Sequence, residues 1–302
     1  MKVLITGGAG FIGSHLADRL LAEGANVRAL DNLDPQVHGD SGRPDYLDES
    51  VELVRGDVRD RDVLGRALDG VDTVVHFAAA VGVGQSMYEI ERYTSINSIG
   101  AAVLLEEVLE RRDDIRKLLV ASSMSIYGEG QYRNPRTGEG GIAPGVRPEP
   151  QLAARRWDVL DDDGLPLEPE PTAETKPLRP TSIYAINKRD HEEMVLAVTR
   201  DGADGRTLNV GTGTPTSVRD VARVIADGLG KSIEPEVANQ YRAGDIRHCF
   251  ADTRLAEELL GFRAEIPFEH GMDDLLAWLE GQEASDTVDA AREALVARGL
   301  AR

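Results

Sequence analysis

Tyr184-Ala-Ile-Asn-Lys188 sets a phenol and an ammonium four residues apart, a spacing that brings both to one face of a helix. Tyrosine titrates near pH 10 and is a poor base at neutrality. A cation held close favours the phenolate and lowers that value. So tuned, Tyr184 would take the proton of a hydroxyl while hydride leaves the same carbon. Tyr-x-x-x-Lys alone is common, and a chance pair on a helix surface fits it equally well. Upstream, Val120-Ala-Ser-Ser-Met-Ser-Ile-Tyr-Gly128 reads as a strand ending in hydroxyl residues, the place where parallel sheets present ligands. Ser123 would bond the reacting oxygen and share its proton with Tyr184. In the plainer alternative, Ser122, Ser123 and Ser125 only cap loose backbone.

Such chemistry needs a hydride carrier, and residues 2–13 supply its seat. Lys-Val-Leu-Ile-Thr-Gly-Gly-Ala-Gly-Phe-Ile-Gly is a short apolar run that breaks at Gly7, Gly10 and Gly13 and opens a helix. In that setting the first glycine allows a tight turn, the second lets backbone approach a pyrophosphate, and the third lets helix pack on strand. Free N–H groups and the positive end of the helix dipole face the anion. A plain glycine turn is the alternative for the loop alone. Asp31 adds to the argument, because it ends a second apolar run, Asn26-Val-Arg-Ala-Leu-Asp31. A carboxylate about 20 residues beyond the loop accepts bonds from the adenosine ribose hydroxyls. It would repel a 2′-phosphate, so NAD is favoured over NADP.

The elements that must position these groups alternate. Strands are expected at 2–6, 26–31, 51–55, 71–77 and 117–122, and helices at 11–24, 60–69, 90–111 and 183–199, as for a parallel sheet covered by helices. Residues 129–181 break the rhythm: nine of the 14 prolines lie there, and the stretch reads as a long surface excursion without elements of its own, pinned by Trp157 and Leu160. Beyond residue 200, strands are expected at 206–210 and 233–238. Helices are expected at 217–229 (capped by Thr216 or Ser217), 252–260 and 268–281, with an amphipathic tail helix from about 286.

Bulk composition bounds the partners. A chain of 302 residues can bury one large core or two unequal ones. The net charge of −19 argues against nucleic acid, which needs clustered Lys and Arg. One cysteine, Cys249, gives no intrachain disulfide framework and fits a reducing, cytoplasmic compartment. Six scattered histidines offer no metal spacing, and no apolar run reaches membrane-spanning length.

Taken in order, the glycine loop, Asp31, Asp57-Val58, His76-Phe77-Ala78-Ala79, Asn97, Ser123 and Tyr184/Lys188 closely resemble an extended short-chain dehydrogenase/reductase of the nucleotide-sugar epimerase/dehydratase group. The resemblance covers about residues 1–200 and most of 205–280. It implies an α/β fold, a Rossmann-type doubly wound parallel sheet with a small C-terminal substrate-binding α/β part. The implied domains are 1–200 for NAD, with 129–181 as an insertion, and 201–302 for substrate. NAD would be held by Gly7, Gly10, Phe11, Ile12, Gly13, Asp31, Asn32, Asp57, Val58, Phe77, Ala78, Ala79, Ala80, Asn97, Tyr184 and Lys188. By the same resemblance Asp57 and Val58 contact adenine, Asn97 supports backbone, and Lys188 also holds the nicotinamide ribose. Ser123, Tyr184 and Lys188 carry the chemistry. Ser123, Arg242 and Asp245 would touch a UDP- or dTDP-sugar, with Arg242 on the pyrophosphate. An ordinary surface Arg/Asp pair is the alternative for the last two. Family members commonly dimerise through the helices at 90–111 and 183–199.

The residues after Ser123 narrow the reaction. Family dehydratases place Asp-Glu there, and the sugar-acid decarboxylases a glutamate in the loop; this chain has Met124 and Ser125. The chemistry left is exchange of hydride and proton at one hydroxyl. That is 4-epimerisation through a transient 4-keto sugar, most like the dTDP-rhamnose-type and UDP-hexose 4-epimerases. The alternatives are keto-sugar nucleotide reduction or a catalytically impaired NAD-binding protein. One departure bears on this. In the family a strand with an Arg-x-x-Asn-x-Tyr-Gly-Pro type motif follows the Tyr/Lys helix, whereas here Arg200 runs into Asp201-Gly-Ala-Asp-Gly205 and Thr207-Leu-Asn-Val-Gly211. Against the family pattern a block of sheet and sugar-binding surface is absent, through a natural deletion, an edit or an omitted segment; if it is a true deletion, the chain is expected to bind cofactor better than substrate.

Overall fold

Lys2–Thr6 is a β-branched, apolar run whose successive side chains must face opposite sides of a sheet. In the computed structural model, which describes residues 1–39, 42–198, 205–242, 244–279 and 288–301, this run is the central strand β1 (Lys2–Thr6). Val3 and Ile5 pack with Ala17, Val27 and Ala29 on one face, with Leu16 and Leu20 beside them. Leu4 joins Leu30, Val74, Leu64 and Leu104 on the other. Leu4 and Leu30 are fully buried, each contributing about 2 kcal/mol of hydrophobic stabilisation.

Two compact units form, Met1–Ser123 with Ser182–Gly205, and Met124–Thr181 with Arg206–Arg302. In the first, the chain runs β1, α1 (Phe11–Ala22), β2 (Asn26–Asp31), α2 (Pro35–His38), β3 (Glu52–Arg55), α3 (Arg61–Ala67), β4 (Thr73–His76), α4 (Val83–Ser86), α5 (Ile90–Thr94), a π-helical turn (Ser95–Ile99), α6 (Gly100–Glu110) and β5 (Lys117–Val120). The five strands pair in parallel in the order β3-β2-β1-β4-β5. The chain builds outward from β1 to β3 and then crosses to β4 on the other side of β1. That reversal opens a crevice at the carboxyl ends of β1 and β4. Gly7 and Phe77 follow those ends directly.

The expected single helix over 90–111 is interrupted. Ser95–Ile99 is wound as a π-helix, and the widened turn carries the fully buried Asn97. Its amide accepts from Ala80 N at 2.8 Å and donates to Ala80 O at 3.1 Å. The functional demand on one side chain overrides the helical period.

The chain next enters the second unit through a 3₁₀ turn (Met124–Tyr127) and the insertion, with β6 (Gln131–Arg133), α7 (Glu149–Ala153) and β7 (Glu168–Glu170). The insertion therefore does have elements of its own, contrary to the sequence expectation. β6 and β7 pair antiparallel over a small core of Tyr132, Val159, Leu167 and Ile142. Strands of three residues, one holding Pro169, are too short for periodicity to reveal. Trp157 packs near Tyr241, with ring centroids 6.2 Å apart.

The chain returns to the first unit for α8 (Ile183–Val198) and ends in the second with α9 (Val218–Gly228), α10 (Arg254–Leu260), α11 (Phe268–Leu279) and α12 (Val288–Ala297). Ser217 caps α9, its hydroxyl accepting from Asp220 N at 3.1 Å. The strands expected at 206–210 and 233–238 do not form. An extended segment becomes a strand only where a neighbour completes its ladder, and Asn209 is instead held by side-chain bonds. Its N–H donates to Glu174, its Nδ2 to Thr172 O and Asp252 O, and its Oδ1 accepts from Tyr127. The junction at Arg200–Asp201 lies outside the described residues.

Candidate active site

The first unit holds a cavity of about 520 Å³ at the crevice beside β1 and β4. Fifteen of the sixteen residues expected at the cofactor line it: Gly7, Gly10, Phe11, Ile12, Gly13, Asp31, Asn32, Asp57, Val58, Phe77, Ala78, Ala79, Ala80, Tyr184 and Lys188. Asn97 does not line it but stands behind, fixing Ala80 by its paired bonds.

The loop's glycines have separate physical reasons. Gly7 lies at φ +69°, and a Cβ there would sit 2.7 Å from Ala78 N. At Gly13 a Cβ would come within 2.4 Å of Gly7 O, so the helix packs on the loop. Gly10 is unencumbered except for Gly7 O at 3.4 Å, which leaves backbone accessible from the cavity. It is also the N-cap of α1 and offers no side chain to the first-turn N–H groups. Anions suit such a terminus. Asp31 accepts from Ala9 N at 3.0 Å and Leu33 N at 2.9 Å, so the carboxylate of β2 also ties down the loop.

Asp57 is bonded by Arg59 and Asn32, and the Arg59 guanidinium holds its carboxyl below the usual range. Sequence reasoning missed His38, Gln85 and Tyr93, which also line the cavity. They reach it from short helices by tertiary packing, and no local pattern announces them.

On α8, Tyr184 and Lys188 are 9% and 2% exposed. Tyr184 is hydrogen-bonded to Ser123, and its backbone N–H donates to Ser86 Oγ at 3.1 Å. Lys188 Nζ donates to Ala121 O at 2.8 Å. The expected depression of the phenol is not realised by these residues alone. Burial raises Tyr184 above its ordinary value, opposed only by the Ser123 bond. Lys188 directs one of its three N–H donors at the Ala121 carbonyl and is itself pushed down to about 8 by burial. A cation brought beside the phenol would lower it.

Beneath Lys188 lie two more buried imidazoles, His76 and His191, with ring centroids 5.5 Å apart. His76 Nδ1 pairs with Thr6 Oγ1 at 2.7 Å and His191 Nε2 with Asn97 O at 3.1 Å. Burial holds His76 well below its usual value and His191 down to about 4. The unfolded chain takes up a proton at His191 near pH 6.5 that the fold refuses until about 4. Stability from this group is therefore complete above pH 6.5 and is lost as pH falls toward 4. At pH 5 the loss is about 2 kcal/mol for His191. Thermal melts at pH 7.5 and 5.0 test this: His191→Asn is expected to shrink the difference between them, and an unchanged difference would refute the assignment.

Arg242 and Asp245 belong to the second unit, where they pair with each other, Nη2 to Oδ1 at 3.2 Å. Among the described residues no three His, Cys, Asp or Glu side chains converge to hold a metal ion, and no helix is long and apolar enough to cross a membrane.

A glycine turn at the switch point of a parallel sheet, with Tyr184 and Lys188 on the same cavity and Ser123 bonded to Tyr184, is the arrangement of a dinucleotide-dependent oxidoreductive site. Residues 3–146 match the model of the NAD dependent epimerase/dehydratase family. A UDP-glucose 4-epimerase of Mycolicibacterium smegmatis is 31% identical, over 90% of this chain and 96% of its own. A dTDP-L-rhamnose 4-epimerase of Burkholderia thailandensis is 29% identical, over 92% of this chain and 94% of its own. The chain belongs to the NAD-dependent epimerase/dehydratase family, and its cofactor is NAD. The alignment with the Burkholderia enzyme runs over 351 positions, more than the 302 residues here, so that relative carries segments without a counterpart. Among solved structures, the Thermotoga maritima UDP-glucose 4-epimerase with UDP-glucose superposes with a TM-score of 0.70 at 23% identity, covering 93% of this chain and 99% of that one. The Thermus thermophilus UDP-glucose 4-epimerase in complex with NAD gives 0.68 at 23%, covering 94% and 100%.

Proposed function

We propose that this protein is a nucleotide-sugar 4-epimerase, acting on a UDP- or dTDP-hexose through a transient 4-keto sugar. The observation that carries the reading is the buried Tyr184 phenol, bonded to Ser123, on the wall of the cavity lined by the glycine loop. Gly7, Gly10 and the first turn of α1 hold the cofactor pyrophosphate, Asp31 the adenosine ribose, Asp57 and Val58 the adenine, and Lys188 the nicotinamide ribose. NAD supplies the hydride acceptor and, in its oxidised form, the positive charge that Tyr184 lacks in this chain alone. Tyr184 takes the proton of the sugar 4-hydroxyl as hydride leaves C4, and returns that proton to the 4-oxygen when hydride comes back to the other face of the turned ketone. Ser123 bonds the same oxygen. Met124 and Ser125 offer no acid for elimination, which favours epimerisation over dehydration.

In this reading the first unit is the NAD domain and the second carries the sugar nucleotide through Arg242 and Asp245. Exposed apolar side chains at Ile99 in the π turn, Leu109 on α6 and Ile186 on α8 support self-association as a homodimer, and the lone Cys249 fits the cytoplasm. The test is incubation of the NAD-loaded chain with a panel of UDP- and dTDP-hexoses, read by NMR of the sugar ring. Conversion of one hexose to its 4-epimer without net NADH change is expected. Stoichiometric NADH consumption would instead establish a reductase. NAD retention with no conversion of any sugar would favour a silent binding protein.

A further inference from the structure

Glu129 and Arg147 are an acid–guanidinium pair buried in the second unit, with side chains 4% and 8% exposed and Nε to Oε1 at 3.0 Å. Taking two charges out of water costs several kcal/mol per ion unless every lone pair and proton is used. Here both oxygens of Glu129 and three N–H groups of Arg147 are engaged, and three of the five partner groups outside the pair lie on one segment. Glu129 accepts the backbone N–H groups of Arg247 at 2.9 Å and His248 at 3.4 Å, along with the Tyr132 hydroxyl at 3.1 Å. Arg147 Nη2 donates to Asp245 O at 2.8 Å, and Nη1 to Trp157 O at 2.8 Å. Two residues of the insertion thus grip the stretch 245–248 from its amide and carbonyl sides. That stretch adjoins Arg242, whose guanidinium is paired in turn to Asp245.

We infer that Glu129 and Arg147 are positioning residues for sugar-nucleotide binding: their buried pair fixes the backbone of 245–248 and so presents Arg242 and Asp245 to the nucleotide diphosphate and ribose. This rests on the epimerase reading above. Neither side chain touches the substrate. The pair acts by removing freedom from the loop before the ligand arrives, which lowers the ordering cost of binding. Guanidinium is required at 147, because three donors in a rigid fork reach Glu129, Trp157 O and Asp245 O together, whereas an ammonium is a single point charge.

The experiment uses the full NAD-loaded chain and compares wild type with Arg147→Lys and Glu129→Gln. UDP and dTDP binding is measured by calorimetry, KM and kcat with the hexose that wild type converts, and amide exchange across 242–248 by mass spectrometry without nucleotide. Arg147→Lys is expected to raise Kd and KM about tenfold, the worth of one charge-assisted hydrogen bond. Retained NAD and a kcat within about twofold are expected beside it. Glu129→Gln is expected to speed exchange at Arg247 and His248. Unchanged Kd, KM and exchange in folded variants would overturn the inference. So would loss of NAD and of kcat in step with KM, which marks a general scaffold role. A wild-type chain that binds neither nucleotide would overturn the epimerase reading itself, while the exchange comparison still reports whether the pair orders the segment.

Discussion

Tyr184→Phe is expected to lower epimerase turnover by about 10³-fold, within the range for loss of a positioned acid–base group, with NAD still bound and the melting temperature little changed. The phenyl ring keeps the packing of a side chain that is 9% exposed. The bond that anchors this turn of α8 runs from the backbone N–H to Ser86 Oγ, so it survives. Only the hydroxyl shared with Ser123 is lost. Ser123 cannot take over, because a lone aliphatic hydroxyl is a far weaker base than a tuned phenol. Bound NAD, read by absorbance after denaturation, separates chemistry from cofactor loss. Turnover within threefold of wild type would remove Tyr184 from the mechanism.

Gly7→Ala is expected to cost about 2–5 kcal/mol of stability and most of the bound NAD. Two independent penalties meet at this position. The backbone is at φ +69°, where a Cβ costs roughly 1–2 kcal/mol. The new methyl would stand 2.7 Å from Ala78 N and 2.9 Å from Phe77 C, main-chain atoms that cannot swing aside, and such overpacking costs about 1–3 kcal/mol. Relief requires β1 and β4 to separate at their carboxyl ends, and that gap is the cofactor crevice. Denaturant melts and NAD titration check both parts. A variant that binds NAD normally would show that the turn does not shape the site.

What was legible in the sequence is what a residue type states by itself. Gly7, Gly10 and Gly13 are forced by backbone geometry, Asp31 by charge at a strand end, and the Tyr184/Lys188 pair by helical spacing; all line one cavity. The central strands β1, β2 and β4 follow from apolar runs buried on both faces. The π turn at Ser95–Ile99 was not legible, because only the distant Ala80 explains why Asn97 must turn inward. The strand expected at 206–210 failed for the complementary reason: extended propensity is local, whereas a ladder needs a partner. Tyr184's raised pKa was hidden too, since spacing places Lys188 on the same helix face but does not disclose how deeply the phenol is buried.

The π turn also makes the chain sensitive to length at one place. A π turn is a helix with one residue too many, so deleting a single codon in 95–99 would restore ordinary winding, leave the flanking helices near their present phase and close the widened turn that carries Asn97. Asn97 would lose the bonds that tie it to Ala80, and the segment beside the cavity its anchor. The region is helical and rich in small and aliphatic side chains, where point substitutions pass easily, yet here a frame-preserving loss of three nucleotides would be more damaging than most single exchanges.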